Sequence, residues 1–216
     1  MSRRIVRTAM TALALAIATV VVAPNPAGAT TFLPLTTENM ADVSTMIVEG
    51  QVQEVWTELD ELGYVWTRAR VKVSDVWKGH RVPDEIVISS IGGSVGNYTT
   101  HVEGQAVFSV GEDMVVFLHR DANDRLVPLG KFLGKMTVRR ANGEERQHVM
   151  RWHPRPEWKF DHRFLPHPEP EDRVYLDDFE ALVRGHLAKP WTGQEIPGVS
   201  AELLQRVNTP EIRSAR

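Results

Sequence analysis

Four histidines, His148, His153, His162 and His167, with Glu157 and Asp161 between them, form the densest group of metal-donor side chains in the sequence. Imidazole and carboxylate both suit zinc, and a segment stiffened by Pro154, Pro156, Pro166, Pro168 and Pro170 can bring several together. The spacing fits no closed ligand pattern. There is no H-E-x-x-H, and no two of these histidines stand three or four apart on an expected helix. The competing assignment is a polar extension whose histidines and tryptophans pack against the outside of the fold. Gly92-Gly93-Ser94-Val95-Gly96 has the glycines of a phosphate loop. It lacks the Gly-Lys-Ser/Thr ending and the strand-to-helix setting, so it reads as a turn. Ser89, Ser90, Ser94 and Ser109 lie in no G-x-S-x-G, and spacing alone assembles no triad around them. Asn97-Tyr98-Thr99 is a glycosylation sequon, relevant only in a eukaryotic source. The expectation is a protein that is not an enzyme and needs no cofactor, with metal handling at residues 148–167 as the alternative.

The second grouping is chemical only in the sense of recognition. Tyr64, Trp66, Arg68 and Arg70 alternate along one face of a segment, and aromatic side chains interleaved with arginine suit contact with protein or stacking on sugar. The opposing expectation is that the carboxy-terminal segment covers this face and buries Trp66 beneath Phe160, Phe164 or a helix bearing Phe179. The connection from Gly92 to Gly104 is the other expected contact.

These groups must be positioned by strands. Tyr64 to Gly79 places Val65, Ala69, Val71 and Val73 on one face and Arg68, Arg70, Lys72 and Ser74 on the other, the period of a strand with one buried side. Met46 to Trp56 is its partner, with Gly50 as a bulge or corner. Glu85 to Ile91 and Asp113 to Arg120 read as further strands, the latter apolar enough to be covered on both faces. A flexible connection is expected over Ser94 to Gly111. Arg125 to Leu129 and Phe132 to Arg140 give one or two more strands, and Ala141-Asn142-Gly143 turns the chain back through Glu145 to Trp152. Asp177 to Leu187 predicts a helix capped by Asp177, with Phe179, Leu182, Val183 and His186 on one face. Ser200 to Val207 predicts a shorter helix, and the residues from Pro210 are expected to fray.

The amino terminus has the order of a secretory signal: Arg3, Arg4 and Arg7, an apolar run from Ala9 to Ala23, then Ala27-Gly28-Ala29. The apolar run is short for a membrane span, so no span is expected once the signal is cleaved. The chain has no cysteine, which rules out disulfides and a lipid-modified cysteine anchor. Removing residues 1–29 takes three arginines and no acid, moving the formal charge from −3 to −6. That balance disfavours nucleic acid, whose phosphates need a basic face. The expected location is periplasmic or extracellular, and the expected partner another exported protein.

Ala41-Asp42 followed by Ile47-Val48-Glu49-Gly50-Gln51-Val52 resembles the opening of netrin-like domains, the barrels of tissue inhibitors of metalloproteinases. Val71 to Val76 followed by Trp77-Lys78-Gly79 is similar to that family's second strand, and Gly111 to Leu118 and Gly130-Lys131-Phe132 continue the likeness to about Arg140. The resemblance implies a small antiparallel β-barrel of oligonucleotide/oligosaccharide-binding type. It implies no inhibitory residue, because those inhibitors chelate the target's zinc with an amino-terminal cysteine and this chain has none. The organisation expected is a signal at 1–29, a barrel at 30–152, a proline- and histidine-rich arm at 153–175, and one or two helices within 176–216.

Overall fold

Two 14-residue strands, β1 (Met46–Leu59) and β2 (Val65–Lys78), form a long antiparallel hairpin around which the rest is laid. The computed structural model describes residues 35–151, 159–160, 166–167 and 174–214. The signal-like segment and most of the arm lie outside the described residues. The described strands continue as β3 (Glu85–Ile91), a small hairpin of β4 (Gly93–Val95) and β5 (Tyr98–Thr100), then β6 (Asp113–Arg120) and β7 (Leu126–Pro128). After a 3-10 turn at Lys131–Gly134 come β8 (Lys135–Arg140), β9 (Gln147–Met150), a two-residue pair β10 (Lys159–Phe160) and β11 (Pro166–His167), and β12 (Val174–Tyr175). The fold is mainly β. One large mixed sheet has the order β1-β2-β3-β7-β6-β8-β9-β12, and β1 pairs with β6 as well. All its pairings are antiparallel except β3 with β7, which meet in parallel at Ile88 and Leu126.

β1 serves two neighbours because it bends at Gly50. There the chain faces Val73 of β2 and Met114 of β6 at once, with a register shift between Glu49 and Gly50. A Cβ at this position would stand 2.5 Å from the Lys72 carbonyl oxygen, so only glycine allows the approach. The strand alternation turns one set of side chains into a single apolar cluster: Val48, Val52, Ala69, Val71, Ile86, Ile88, Met114, Val116 and Leu118 are buried together. Each such burial contributes about 1.5–3 kcal/mol against exposure.

The other face of the sheet is covered by helices. Helix α1 (Thr37–Val43) starts where Thr36 accepts a hydrogen bond from the Asn39 N–H, at 3.2 Å. Helix α2 (Leu176–Leu187) buries Phe179 and Val183 but leaves Leu182 exposed. Asp177 does not cap it. Its carboxylate takes Arg146 instead, and Tyr175 is the N-cap. Helix α3 (Ala201–Val207) is capped by Ser200, and α4 (Pro210–Arg213) forms where fraying was expected, with Arg213 buried. The expected flexible connection after Ser94 is likewise partly regular, as the β4–β5 hairpin. The Phe179 ring lies 5.8 Å from Trp77 and 6.2 Å from Phe117, locking α2 onto the outer faces of β2 and β6.

Candidate binding face

The aromatic-plus-arginine face of β2 is mostly spoken for within the chain. Trp66 is 8% exposed, so of the two expectations for this side chain the covered one matches the fold. Of the carboxy-terminal aromatics expected as its cover, Phe179 packs instead on Trp77 and Phe117, and the side chains of Phe160 and Phe164 lie outside the described residues. The Arg125 guanidinium, carried at the start of β7, lies 3.7 Å from the Trp66 ring centroid, while the Asp60 carboxylate accepts the Trp66 indole N–H at 2.9 Å. Arg125 is itself held by Asp121 at 2.6 Å. Sequence reasoning missed Arg125 because the ring it covers, Trp66, lies in a different hairpin.

Arg68 donates to Glu58 at 2.8 Å and also reaches Ser89. Arg70 pairs with Glu54 at 3.0 Å and stands 5.7 Å from the Trp56 ring. Both arginines are therefore cross-strand braces of the β1–β2 hairpin. Of the four, Tyr64 stays open at 51% exposure, beside Leu62 at 81% in the hairpin turn, and Arg70 is exposed although it is paired with Glu54.

A second open tip stands nearby. Tyr98, 65% exposed, ends the β4–β5 hairpin. That hairpin is laid on β1 and β2: the Thr57 hydroxyl donates to the Ser94 carbonyl at 2.7 Å, and a Cβ on Gly93 would meet Thr67 Oγ1 at 2.8 Å. The two turns are thus braced by the chain, and their large side chains point outward.

Beneath the β4–β5 hairpin lies a groove of about 320 Å³. One wall is the end of β3 with Ser90, Ile91 and Gly92, and the other is the segment from Thr100 to Phe108. In that segment Ala106 and Phe108 are buried in the apolar cluster, whereas Val107 between them is 57% exposed. The Ser90 hydroxyl donates to the Gln105 side-chain oxygen at 3.0 Å, spanning the floor. The expected contact loop, Gly92 to Gly104, supplies much of this lining.

At the opposite end the chain seals itself around Lys78. Its ammonium has no exposure and donates to the Ala41 carbonyl at 2.7 Å and more weakly to the Asp42 carbonyl and Asn208. Burial, reinforced by the Arg213 guanidinium and opposed by the Asp42 carboxylate, pulls the Lys78 pKa down from its ordinary value to about 7. Asp42 Oδ1 accepts from Arg213 at 2.6 Å and sits 2.9 Å from His186 Nε2. The next residue, Gly79, has a left-handed φ of +135° and gives its N–H to the Ile212 carbonyl of α4 at 2.9 Å. Ala41-Asp42 and Trp77-Lys78-Gly79, distant in sequence, thus meet in one buried node.

The histidine group divides. His148 is buried on β9, with Glu144 Oε2 4.0 Å away. His167 lies in β11, and His153 and His162 lie outside the described residues. Among the described residues no three donor side chains are grouped as metal ligands, and no helix is long and apolar enough to cross a membrane. No protein-family model matches the chain, and a search of curated proteins finds no match.

Proposed function

We propose that this chain is an exported, non-catalytic module that binds another protein of the cell envelope or medium, built on a netrin-like barrel of oligonucleotide/oligosaccharide-binding type. The barrel is supported by the strand pairings. β1-β2-β3-β7-β6 returns to β1, with β1 shared between two neighbours and one parallel contact joining the third and last strands of the ring. The meeting of Ala41-Asp42 with Lys78-Gly79 gives the two halves of the sequence resemblance one physical reason to occur together. Export is supported by Arg3, Arg4 and Arg7, the apolar run after them and Ala27-Gly28-Ala29.

One observation carries the binding assignment. Leu62, Tyr64 and Tyr98 project from two braced turns, where exposing large apolar side chains stabilises nothing inside the chain. Large apolar anchors on a rigid support are the chemistry of protein contact, with little entropy left to lose on binding. The test immobilises the full chain and captures native envelope and medium proteins. A single retained partner, lost from a Leu62→Ser, Tyr64→Ser, Tyr98→Ser triple variant of unchanged melting temperature, is the expected result. Equal retention by the triple variant, or no partner at all, overturns the assignment.

A further inference from the structure

The groove beneath the β4–β5 hairpin has an unusual wall. Gln105, Ala106, Val107 and Phe108 alternate between inward and outward side chains as a strand does. Yet among the described residues their main-chain N–H and C=O groups make no main-chain hydrogen bond. The bonds stop at Gly104, whose carbonyl takes the Phe132 N–H at 3.0 Å, and resume at Ser109, whose carbonyl takes the Glu112 N–H at 3.1 Å, followed by Gly111, whose N–H goes to Val52 at 2.8 Å. The facing wall is also unpaired. β3 pairs with β2 as far as Ile91 but with β7 only at Ile88, so among the described residues Ser90 and Ile91 pair with no strand on the groove side.

Exposed strand edges are ordinarily protected by charge or proline, because free main-chain groups template pairing with any extended chain. The run Gln-Ala-Val-Phe-Ser-Val from Gln105 to Val110 has neither, and Val107 and Val110 face outward from it. On the strand rise of about 3.3 Å per residue, the four unpaired residues span roughly 13 Å, room for three or four residues of a partner. The occupant must supply alternating N–H donors and C=O acceptors. A polypeptide does so; a phosphodiester or sugar chain has no such repeat. Ionisable groups in the lining are confined to His101 and Glu103, which face each other at 3.3 Å, so the occupant need not be charged.

Resting on the protein-binding assignment above, and narrowing it, we propose that the groove between β3 and Gly104–Phe108 accepts an extended, uncharged segment of the partner as an added strand. Affinity then comes from main-chain hydrogen bonds, and selectivity from alternate small or apolar side chains entering the cavity beside Ile91 and Phe108.

The test selects linear 12-residue peptides from a phage-displayed random library on the full chain and measures affinities of the synthetic peptides. Selected sequences alternate apolar residues, and N-methylation of single amides within the seated stretch lowers affinity at least tenfold, while methylation of amides outside that stretch changes it little. Val107→Pro, which removes an N–H that bonds none of the described residues, lowers affinity tenfold or more, whereas Val107→Ser stays within about threefold. Should Val107→Pro disturb the fold, the methylation series on the natural chain decides the matter alone. No selected peptide, or affinity indifferent to methylation at every position, overturns the proposal. An envelope partner that is captured but not displaced by saturating peptide also overturns it, while leaving the protein-binding assignment standing.

Discussion

The two ends of the long hairpin solve the same problem in opposite ways. Where β2 ends at Trp77-Lys78-Gly79, three donors converge on acceptors inside the chain, Lys78 on Ala41, Gly79 on Ile212 and Arg213 on Asp42, while the buried Trp77 indole N–H has no partner among the described residues. Where β3 ends at Ile91-Gly92-Gly93, side chains are braced but the main-chain groups of Gln105 to Phe108 across the groove have no main-chain partner among the described residues. Both bends use left-handed glycines, Gly79 in one and Gly92 and Gly93 in the other, so local conformation is not the difference. The difference is what the chain brings to the bend afterwards. The carboxy-terminal helices close the first, and no described element closes the second. Buried ions of the first kind contribute little net stability and fix how the helices dock; open edges of the second kind invite an outside chain.

The sharpest way to break the comparison is at Asp42. Asp42→Ala leaves the buried Arg213 guanidinium and the Lys78 ammonium without their carboxylate, and should cost about 3–5 kcal/mol. Urea unfolding followed by tryptophan fluorescence would measure it. A loss under 1 kcal/mol would mean that the node is dispensable and the two ends are not opposites.

The pH dependence is the next largest effect. The Lys78 pKa is lowered to about 7 in the fold and returns to about 10.4 when unfolded. Below pH 7 both states hold the proton and the burial penalty is fully present. Between pH 7 and 10.4 the unfolded chain binds more protons, so stability rises with pH across that window. Lys78→Met should flatten the rise by a few kcal/mol, on the scale of about 1.4 kcal/mol for each unit of pKa displacement. Parallel stability curves for the two proteins between pH 6 and 9 would contradict the assignment.

The smallest effect sharpens the other end. Arg70→Ala removes the half-exposed pair with Glu54 and should change stability by less than about 1 kcal/mol. It should also leave partner capture unaltered, because Arg70 braces the hairpin and the open tips are elsewhere. A large loss of capture at constant stability would return Arg70 to the contact face.

Much of the sheet was legible because strand period and turn chemistry act locally. β3 and β6 fall on their expected residues, and Gly50 is a bend. The amphipathic pattern at Asp177–Leu187 marked α2 to within one residue, although its cap was misassigned because Arg146, distant in sequence, competes for Asp177. α4 was missed because four residues carry too little periodicity. It exists because Arg213 reaches Asp42 and Gly79 reaches Ile212. The site was less legible. Strand parity put Trp66 and Arg68 on the outer face and left both an open and a covered Trp66 standing, because it tells which side a residue faces but not what another hairpin lays over it.

By itself the sequence determined a mainly β chain without disulfides, the alternation that fills its apolar cluster, the glycine at the bend of β1, and the short histidine and serine motifs that assemble no recognisable catalytic pattern. These follow from neighbouring residues and from composition. Only the tertiary structure decided that Arg125 covers Trp66, that Lys78 is buried among Ala41, Asp42 and Asn208, and that the main chain of Gln105 to Phe108 has no partner among the described residues. Each of those depends on which distant segment arrives at a given edge. That is set by the free energy of the whole packing, to which no local pattern in the chain gives access.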